Sequence, residues 1–128
     1  MKKLLLLAGI SVLFWGCDDE TQPSGGGQAR IIINCPTPAQ GETFGANTNA
    51  GYLYTPGSTD LFSVTKGQNV FCYMGYTTYG ACKNVEVKFE LNGTIVETRN
   101  FNMGGFDATS TCPDGYSKSI NFIVQIGR

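Results

Sequence analysis

The stretch Val85–Phe101, VEVKFELNGTIVETRNF, alternates apolar and polar side chains on both sides of the dipeptide Asn92-Gly93. Asn-Gly between two alternating runs is the strongest short-range signal for a β-hairpin with a two-residue type I′ turn. The stretch therefore predicts two antiparallel strands, the first with every second side chain on one core face. The residues predicted on that face are Val85, Val87, Phe89 and Leu91.

A turn at Asn92-Gly93 also fixes which residues of the two strands face each other. The predicted cross-strand neighbours are Leu91 with Thr94, Phe89 with Val96, Val87 with Thr98, Lys88 with Glu97, and Glu86 with Arg99. Two of these pairs carry opposite charges on the solvent face, and each such pair contributes roughly 0.2–1 kcal/mol. The register therefore predicts that Phe89 and Val96 lie side by side in the core.

Other parts of the chain also predict β-strands, and no segment has a convincing helical period. The β-branched run ARIIINC, residues 29–35, predicts a strand covered on both faces. The runs LFSV (61–64) and NVFCYM (69–74) flank a glycine turn and predict a second, looser hairpin. The run SKSINFIVQI (117–126) alternates and predicts one apolar face, formed by Ile120, Phe122, Val124 and Ile126.

The overall composition fits one small all-β domain. The chain has 128 residues, 41% hydrophobic and 15% charged, and 17 of them are glycines. Short strands with frequent turn signals are typical of an antiparallel β-sandwich. Residues 39–59 have no element that the pattern assigns, and they are long for a plain connection.

The N-terminus carries a basic start, Lys2-Lys3, and then an apolar run, Leu4–Trp15, that ends at Gly16-Cys17. The run is too short for a bilayer span, which needs about 20 apolar residues. A basic start followed by a short apolar core is typical of a secretory signal. The small-x-small site of ordinary signal cleavage is missing before the cysteine.

The four residues Phe14-Trp15-Gly16-Cys17 resemble a bacterial lipoprotein box of the relaxed, Bacteroidetes type. The resemblance implies that residues 1–16 are a signal peptide and that Cys17, covalently lipidated, becomes the first residue of the mature chain. The lipid would anchor the protein in the outer membrane, and no other cofactor is expected. The alternative is an uncleaved signal anchor, which the short apolar run disfavours.

Three acidic residues, Asp18, Asp19 and Glu20, follow this cysteine directly. In Bacteroidetes-type lipoproteins such a cluster resembles a signal for export to the cell surface. The alternatives are the inner-membrane retention signal of proteobacterial lipoproteins and a solvated acidic tether. Proline, serine and glycine make residues 17–29 a predicted flexible tether, with the domain spanning 30–128.

Three stretches of the predicted domain resemble bacterial immunoglobulin-like domains of the cell-adhesion-related (CARDB-like) type. They are TKGQNVFCYMGY (65–76), NVEVKFELNGTIVET (84–98) and DGYSKSINFIVQ (114–125). The resemblance lies in a glycine turn before one strand, a central Gly hairpin, and a glycine turn before a last strand that contains Phe. It implies an immunoglobulin-like antiparallel β-sandwich.

Four cysteines follow Cys17 in the chain: Cys35, Cys72, Cys82 and Cys112. An even number in an exported domain predicts disulfides, with three possible connectivities. If the strands ending at Cys35 and holding Cys72 are antiparallel, the bonds are Cys35–Cys72 and Cys82–Cys112. The alternative is a local Cys72–Cys82 bond together with Cys35–Cys112. A zinc site is not expected, because the chain has no histidine and no CxxC spacing.

Composition argues against two classes of function. The formal net charge is −1, so no excess of Lys and Arg is available to neutralise the phosphates of a nucleic acid. The absence of histidine removes the most frequent general acid or base and any Ser-His or Cys-His pair. We therefore expect neither a nucleic-acid partner nor an enzyme.

Tyrosines supply the candidate contact residues. Tyr76 and Tyr79 lie in YMGYTTYGAC (73–82), and Tyr52 and Tyr54 lie in NAGYLYTPG (49–57). Tyrosine among Gly, Asn and Thr is typical of rigid, adaptable contact surfaces. The alternative is that these rings cover an open end of the sandwich.

These observations predict a lipid-anchored cell-surface binding or accessory module with an outer-membrane protein as partner. A glycan-binding lipoprotein that uses the tyrosines, and a purely structural envelope component, remain the alternatives.

Overall fold

The computed structural model describes residues 26–107 and 109–125, and within them the chain forms nine β-strands and no helix. The strands are β1 Gly26–Asn34, β2 Thr43–Thr48, β3 Gly51–Leu53, β4 Gly57–Ser58, β5 Phe62–Thr65, β6 Asn69–Thr77, β7 Lys83–Leu91, β8 Thr94–Met103 and β9 Ser117–Ile123. The signal peptide, Cys17, the acidic cluster 18–20 and Ile126 lie outside the described residues. In the part of the chain that is described, no helix is long and apolar enough to cross a membrane.

The strands form two antiparallel sheets that pack face to face. One sheet has the order β9-β6-β2-β3, and the other has the order β4-β1-β7-β8 with β5 also paired to β1. The predicted fold class, an all-β antiparallel sandwich, is confirmed. Residues 39–59, which the sequence pattern left unassigned, contain β2, β3 and β4.

The core lies between the sheets and is built by alternate residues of the long strands. In β7 the four predicted core residues are all buried, and in β9 both Ile120 and Phe122 are buried. Phe89 of β7 stacks on Phe122 of β9 with ring centroids 5.1 Å apart, so these two rings join the two sheets. The period-two alternation of both strands therefore predicted their inner faces correctly.

The predicted turn at Asn92-Gly93 is confirmed, but the predicted register beyond it is wrong. Asn92 and Gly93 have positive φ values of 51° and 83°, as a type I′ turn requires. A bulge then interrupts the pairing after Glu90, so that Phe89 faces Glu97 instead of Val96. Val96 is the extra residue of the bulge and is 52% exposed.

The bulge separates the charged residues that the sequence pattern paired across the hairpin. The ion pairs instead form along each strand, between Lys88 and Glu86 and between Arg99 and Glu97. Past the bulge, Arg99 turns towards the core side, where its guanidinium carbon lies 4.9 Å from the centre of the Phe122 ring. One of its nitrogens donates to the carbonyl of Asn121 at 3.2 Å. Arg99 therefore closes the open side of the sandwich between the edge strands β8 and β9.

The second predicted hairpin is also wrong, because its two strands belong to different sheets. β5 pairs with β1, whereas β6 pairs with β9 and β2. The turn itself forms, with the Gln68 amide N–H donating to the Thr65 carbonyl at 3.0 Å. The chain uses this turn to cross from one sheet to the other.

The first strand includes residues that the sequence pattern predicts to be part of the flexible tether. Residues 26–29 form the first part of β1 and pair with β5. The side-chain oxygen of Asn92 also accepts a hydrogen bond from the amide of Gln28 at 2.9 Å. These backbone partners explain how a glycine-rich segment becomes a strand.

The cysteines confirm one predicted disulfide and contradict the other. Cys82 and Cys112 are bonded, with their Cα atoms 5.7 Å apart. Cys35 and Cys72 are free thiols, so the predicted bond between them is wrong. Cys35 lies beside Pro36, which accepts a hydrogen bond from Tyr76, and Tyr76 is four residues, roughly 13 Å, further along β6 than Cys72. These contacts place Cys35 at the level of Tyr76 rather than at that of Cys72.

Burial makes both free thiols poor nucleophiles. Desolvation raises the pKa of Cys72 to about 12 and that of Cys35 to about 11, from an ordinary value of 9.0. We expect neither to react with iodoacetamide at pH 8 while the chain is folded, because the thiolate is the reactive form. After unfolding without reductant, peptide mapping should find both labelled.

The raised pKa values also have a consequence for stability at alkaline pH. The neutral thiols favour the folded state, so their contribution is constant below pH 9 and is lost as the pH rises towards 11 and 12. Thermal melts should therefore show a fall in stability above pH 9. In the iodoacetamide experiment, failure of the unfolded chain to incorporate label at Cys35 and Cys72 would mean that these two cysteines are bonded after all.

Candidate binding face of the outer sheet

The outward side of the β9-β6-β2-β3 sheet carries a set of exposed and half-buried residues without charge, which we call the tyrosine face. Its strand positions alternate with the buried ones of the same strands. Its members are Thr43, Gly45, Asn47, Tyr52, Asn69, Phe71, Tyr73, Gly75, Thr77, Ser117, Ser119, Asn121 and Ile123. None of them is Asp, Glu, Lys or Arg.

The outward side of the opposite sheet is different in charge. Arg30 of β1 and Glu90 of β7 form an ion pair at 3.3 Å there, and Glu86 and Lys88 form another at 3.5 Å. These side chains alternate with the buried residues of β1 and β7. The chain therefore places charge on one outer sheet face and leaves the tyrosine face neutral.

A groove of about 330 Å³ crosses the tyrosine face. Its floor is a row of small residues in register across three strands, with Gly45 of β2 opposite Gly75 of β6 and Gly75 opposite Ser117 of β9. The nine lining residues are Thr43, Phe44, Gly45, Tyr52, Tyr73, Gly75, Thr77, Tyr116 and Ser117. The paired glycines leave backbone instead of side chains at the centre of the sheet, and this creates the depression.

Tyr52 bends over one end of this floor. A Cβ atom added to Gly45 would overlap the Tyr52 hydroxyl, so the ring reaches its position only because residue 45 is glycine. Tyr52 also packs against Tyr54, with ring centroids 4.6 Å apart, and both rings remain more than half exposed. The other side of the groove has Tyr73, which is 53% exposed.

Hydroxyl groups dominate the groove wall. Six of its nine lining residues carry one: Thr43, Tyr52, Tyr73, Thr77, Tyr116 and Ser117. The Thr43 and Thr77 hydroxyls hydrogen-bond each other, and the Thr77 hydroxyl also accepts from the Thr43 amide at 3.2 Å. The groove can therefore hydrogen-bond a polar, uncharged ligand and stack tyrosine rings on its apolar surfaces.

Of the four tyrosines that the sequence analysis proposed as contacts, one is in the core. Tyr76 is fully buried in β6, and its hydroxyl donates to the carbonyl of Pro36 at 2.6 Å. Burial raises its pKa, and the nearby Cys35 and Glu42 add to the shift. Tyr76 is therefore a structural residue, because it lies on the inner face of a strand rather than in a loop.

The other three are exposed but do not form one surface. Tyr52 lines the groove and the Tyr54 ring packs against the Tyr52 ring. Tyr79 lies at the disulfide end of the sandwich. There Tyr79 packs against Phe106 with ring centroids 5.0 Å apart, and these side chains are 69% and 58% exposed. The exposed tyrosines therefore divide between two places.

The loop that follows β8 uses its carboxylates internally. The hydroxyl and amide of Thr109 donate to the Asp107 carboxylate and lower its pKa. Asp114 accepts from the Asn102 amide at 2.7 Å and pairs with Lys118. Within the described residues, no group of three or more His, Cys, Asp or Glu side chains could hold a metal ion.

Tyr73, Tyr116 and the two groove glycines are site residues that the sequence patterns did not predict. The alternation in β6 signals that Tyr73 and Tyr76 point to opposite faces, but both faces of this strand carry an aromatic residue. Packing against the opposite sheet decides which of these two tyrosines is buried. The meeting of Gly45 with Gly75 depends on the pairing of β2 with β6, which has no local sequence signal.

Comparison of the chain with known protein families, with curated proteins and with solved structures finds no match.

Proposed function

We propose that the chain is a lipid-anchored, cell-surface binding module of the adhesion-related sandwich type, and that the tyrosine face is its binding surface. The observation that carries the binding surface is the neutral groove, which is lined by six hydroxyl-bearing residues and has two paired glycines in its floor. The proposal assigns no catalytic step to the chain.

The sequence supports the location. The short apolar run that ends in Gly16-Cys17, and the acidic residues 18–20, suit an outer-membrane lipoprotein exported to the surface. Two or three acyl chains on one cysteine suffice for stable anchoring, whereas a single chain is marginal. Mass spectrometry of the mature N-terminus tests for the lipid anchor, and an unmodified Cys17 would exclude it.

A second binding function has its own support at the disulfide end. The exposed pair Tyr79 and Phe106 lies beside the loop that Cys82–Cys112 fixes. Exposed aromatic rings on a constrained loop are typical anchors of protein interfaces. This pair is the better candidate for contact with an outer-membrane protein partner.

Two matched tyrosine variants separate the two surfaces. Tyr73→Ala removes an exposed ring from the tyrosine face, and Tyr79→Ala removes one from the disulfide end. The immobilised full chain is exposed to solubilised envelope material, and the captured material is analysed for both proteins and sugars. We expect Tyr73→Ala to reduce capture about tenfold or more, the effect of losing one buried aromatic contact.

Thermal melts provide the control for folding. Both rings are exposed, so neither variant should shift the melting temperature by more than a few degrees. Loss of capture in Tyr79→Ala but not in Tyr73→Ala would transfer the binding function to the disulfide end. Unchanged capture in both variants would exclude both surfaces as the binding site. Absence of capture by the unmodified chain would leave a purely structural envelope component.

A further inference from the structure

We infer that the ligand of the tyrosine face is an uncharged polysaccharide, with a sugar ring lying over Gly75 in the groove floor, beside the Tyr52 ring that covers Gly45. The inference rests on the proposed function, because it names the ligand class of the same face. It follows from the shape of the groove, from its rings and from its lack of charge.

The shape suits a small ring better than a protein surface. The volume of about 330 Å³ lies at the lower end of the range of roughly 300–1,000 Å³ for small-molecule sites. A standard protein interface instead covers about 800 Å² on each partner. The groove is open rather than enclosed, so a chain longer than one unit could continue beyond it.

The rings at the groove suit a pyranose. The flat side of a pyranose presents C–H groups, which are weakly positive and attracted to the negative face of an aromatic ring. Tyr73 stands exposed beside the floor, and Tyr52 and Tyr116 complete an aromatic rim. Because Gly75 has no side chain, a sugar can approach the sheet backbone between these rings.

The lack of charge selects among polysaccharides. A sugar carboxylate or sulfate in this groove would lose water without gaining a Lys or Arg partner, and that costs free energy. Neutral sugar hydroxyls can both donate to and accept from the Thr, Ser and Tyr hydroxyls of the wall. The groove therefore favours neutral glycans over acidic ones.

The test is native gel electrophoresis of the full chain through gels that contain a defined polysaccharide. The neutral probes are dextran, mannan, arabinoxylan, galactan and mixed-linkage β-glucan, and the acidic probes are alginate, polygalacturonate and heparin. We expect retardation by at least one neutral probe and by no acidic probe. Because no ion pair is involved, the retardation should be the same at low and high salt.

A groove-filling variant provides the sharpest comparison. At Gly75 an added Cβ comes no closer than 3.6 Å to its nearest atom, the carbonyl oxygen of Tyr116, and the backbone needs no positive φ. Gly75→Val should therefore fold, since β-branched residues favour strands, but its side chain fills the floor. We expect Gly75→Val and Tyr73→Ala each to weaken retardation about tenfold or more.

The matched controls are Gly80→Val, where an added Cβ meets nothing within 4 Å, and Tyr79→Ala. Both should be retarded like the unmodified chain. If Gly75→Val fails to fold in a thermal melt, Tyr73→Ala carries the comparison. Retardation by acidic probes alone, by no neutral probe, or equally in Gly75→Val and the unmodified chain would overturn the inference.

The two proposals fail in different ways. If Tyr73→Ala abolishes capture of an envelope protein while no neutral polysaccharide retards the chain, the glycan inference is wrong and the tyrosine face remains the binding surface. If Tyr73→Ala changes neither capture nor retardation, both are wrong.

Discussion

Replacing Phe89 by alanine is expected to lower the free energy of unfolding by about 3–5 kcal/mol, as for other fully buried aromatic residues. Phe89 is 2% exposed, and its ring stacks on Phe122 of the opposite sheet at 5.1 Å. The truncation removes the apolar burial and leaves a cavity between the sheets. Because a small domain has a total stability of about 5–15 kcal/mol, the variant could lose most of it. Urea unfolding followed by circular dichroism measures the change.

The control for this prediction is Val96→Ala, which also tests the bulge in the hairpin. With Val96 beside Phe89 in the core, the truncation would cost about 2–3 kcal/mol, as for a fully buried aliphatic side chain. Val96 is instead 52% exposed, so we expect a change of less than about 1 kcal/mol. Lys88→Ala should be similarly mild, because Lys88 and Glu86 lie on the outward face of β7 and their ion pair keeps contact with solvent. If Val96→Ala were strongly destabilising, that result would support the register without the bulge, in which Val96 lies beside Phe89.

Removing the Cys82–Cys112 disulfide is the second change with a large expected effect. The bond closes a loop with a sequence separation of 30 residues, and the chain-entropy model gives about 3.5–4 kcal/mol for a loop of that length. The double variant Cys82→Ala, Cys112→Ala should therefore melt at a clearly lower temperature. Reductant should have the same effect on the unmodified chain and almost none on the double variant.

The buried free thiols provide the control for the disulfide. Cys72→Ala removes a buried sulfur without opening a loop, so its melting temperature should remain sensitive to reductant. An unmodified chain whose melting is unchanged after complete reduction would show that the bond adds no stability. The disulfide would then serve only to position the loop that carries Phe106 beside Tyr79.

Local sequence signals predicted the features that depend on neighbouring residues. The positive φ values of Asn92 and Gly93 follow from the turn that Asn-Gly favours. The inner faces of β7 and β9 follow from alternation, because side chains of a strand must point to opposite sides. The class of fold follows from many such strands with turns between them.

Features that join distant parts of the chain could not be read in the same way. The extra residue of the bulge in β8 places Arg99 on the core side instead of the predicted solvent side. No sequence pattern near Val96 predicts the bulge. The crossing of β5 and β6 to different sheets has the same local signals as a hairpin. The disulfide prediction was right for Cys82–Cys112 and wrong for Cys35–Cys72, since strand order and level decide which thiols meet.

The sequence by itself determined the all-β class, the turn at Asn92-Gly93 and the buried faces of β7 and β9, because each depends on the steric preferences of adjacent residues. Only the tertiary structure decided that Tyr76 lies in the core while Tyr73 faces solvent, because packing against the other sheet selects one face of β6. It also brought Gly45 to Gly75, 30 positions apart in the sequence, and so formed the groove. Strand pairing depends on the free energy of the whole sandwich, so it cannot be predicted from any short stretch of sequence.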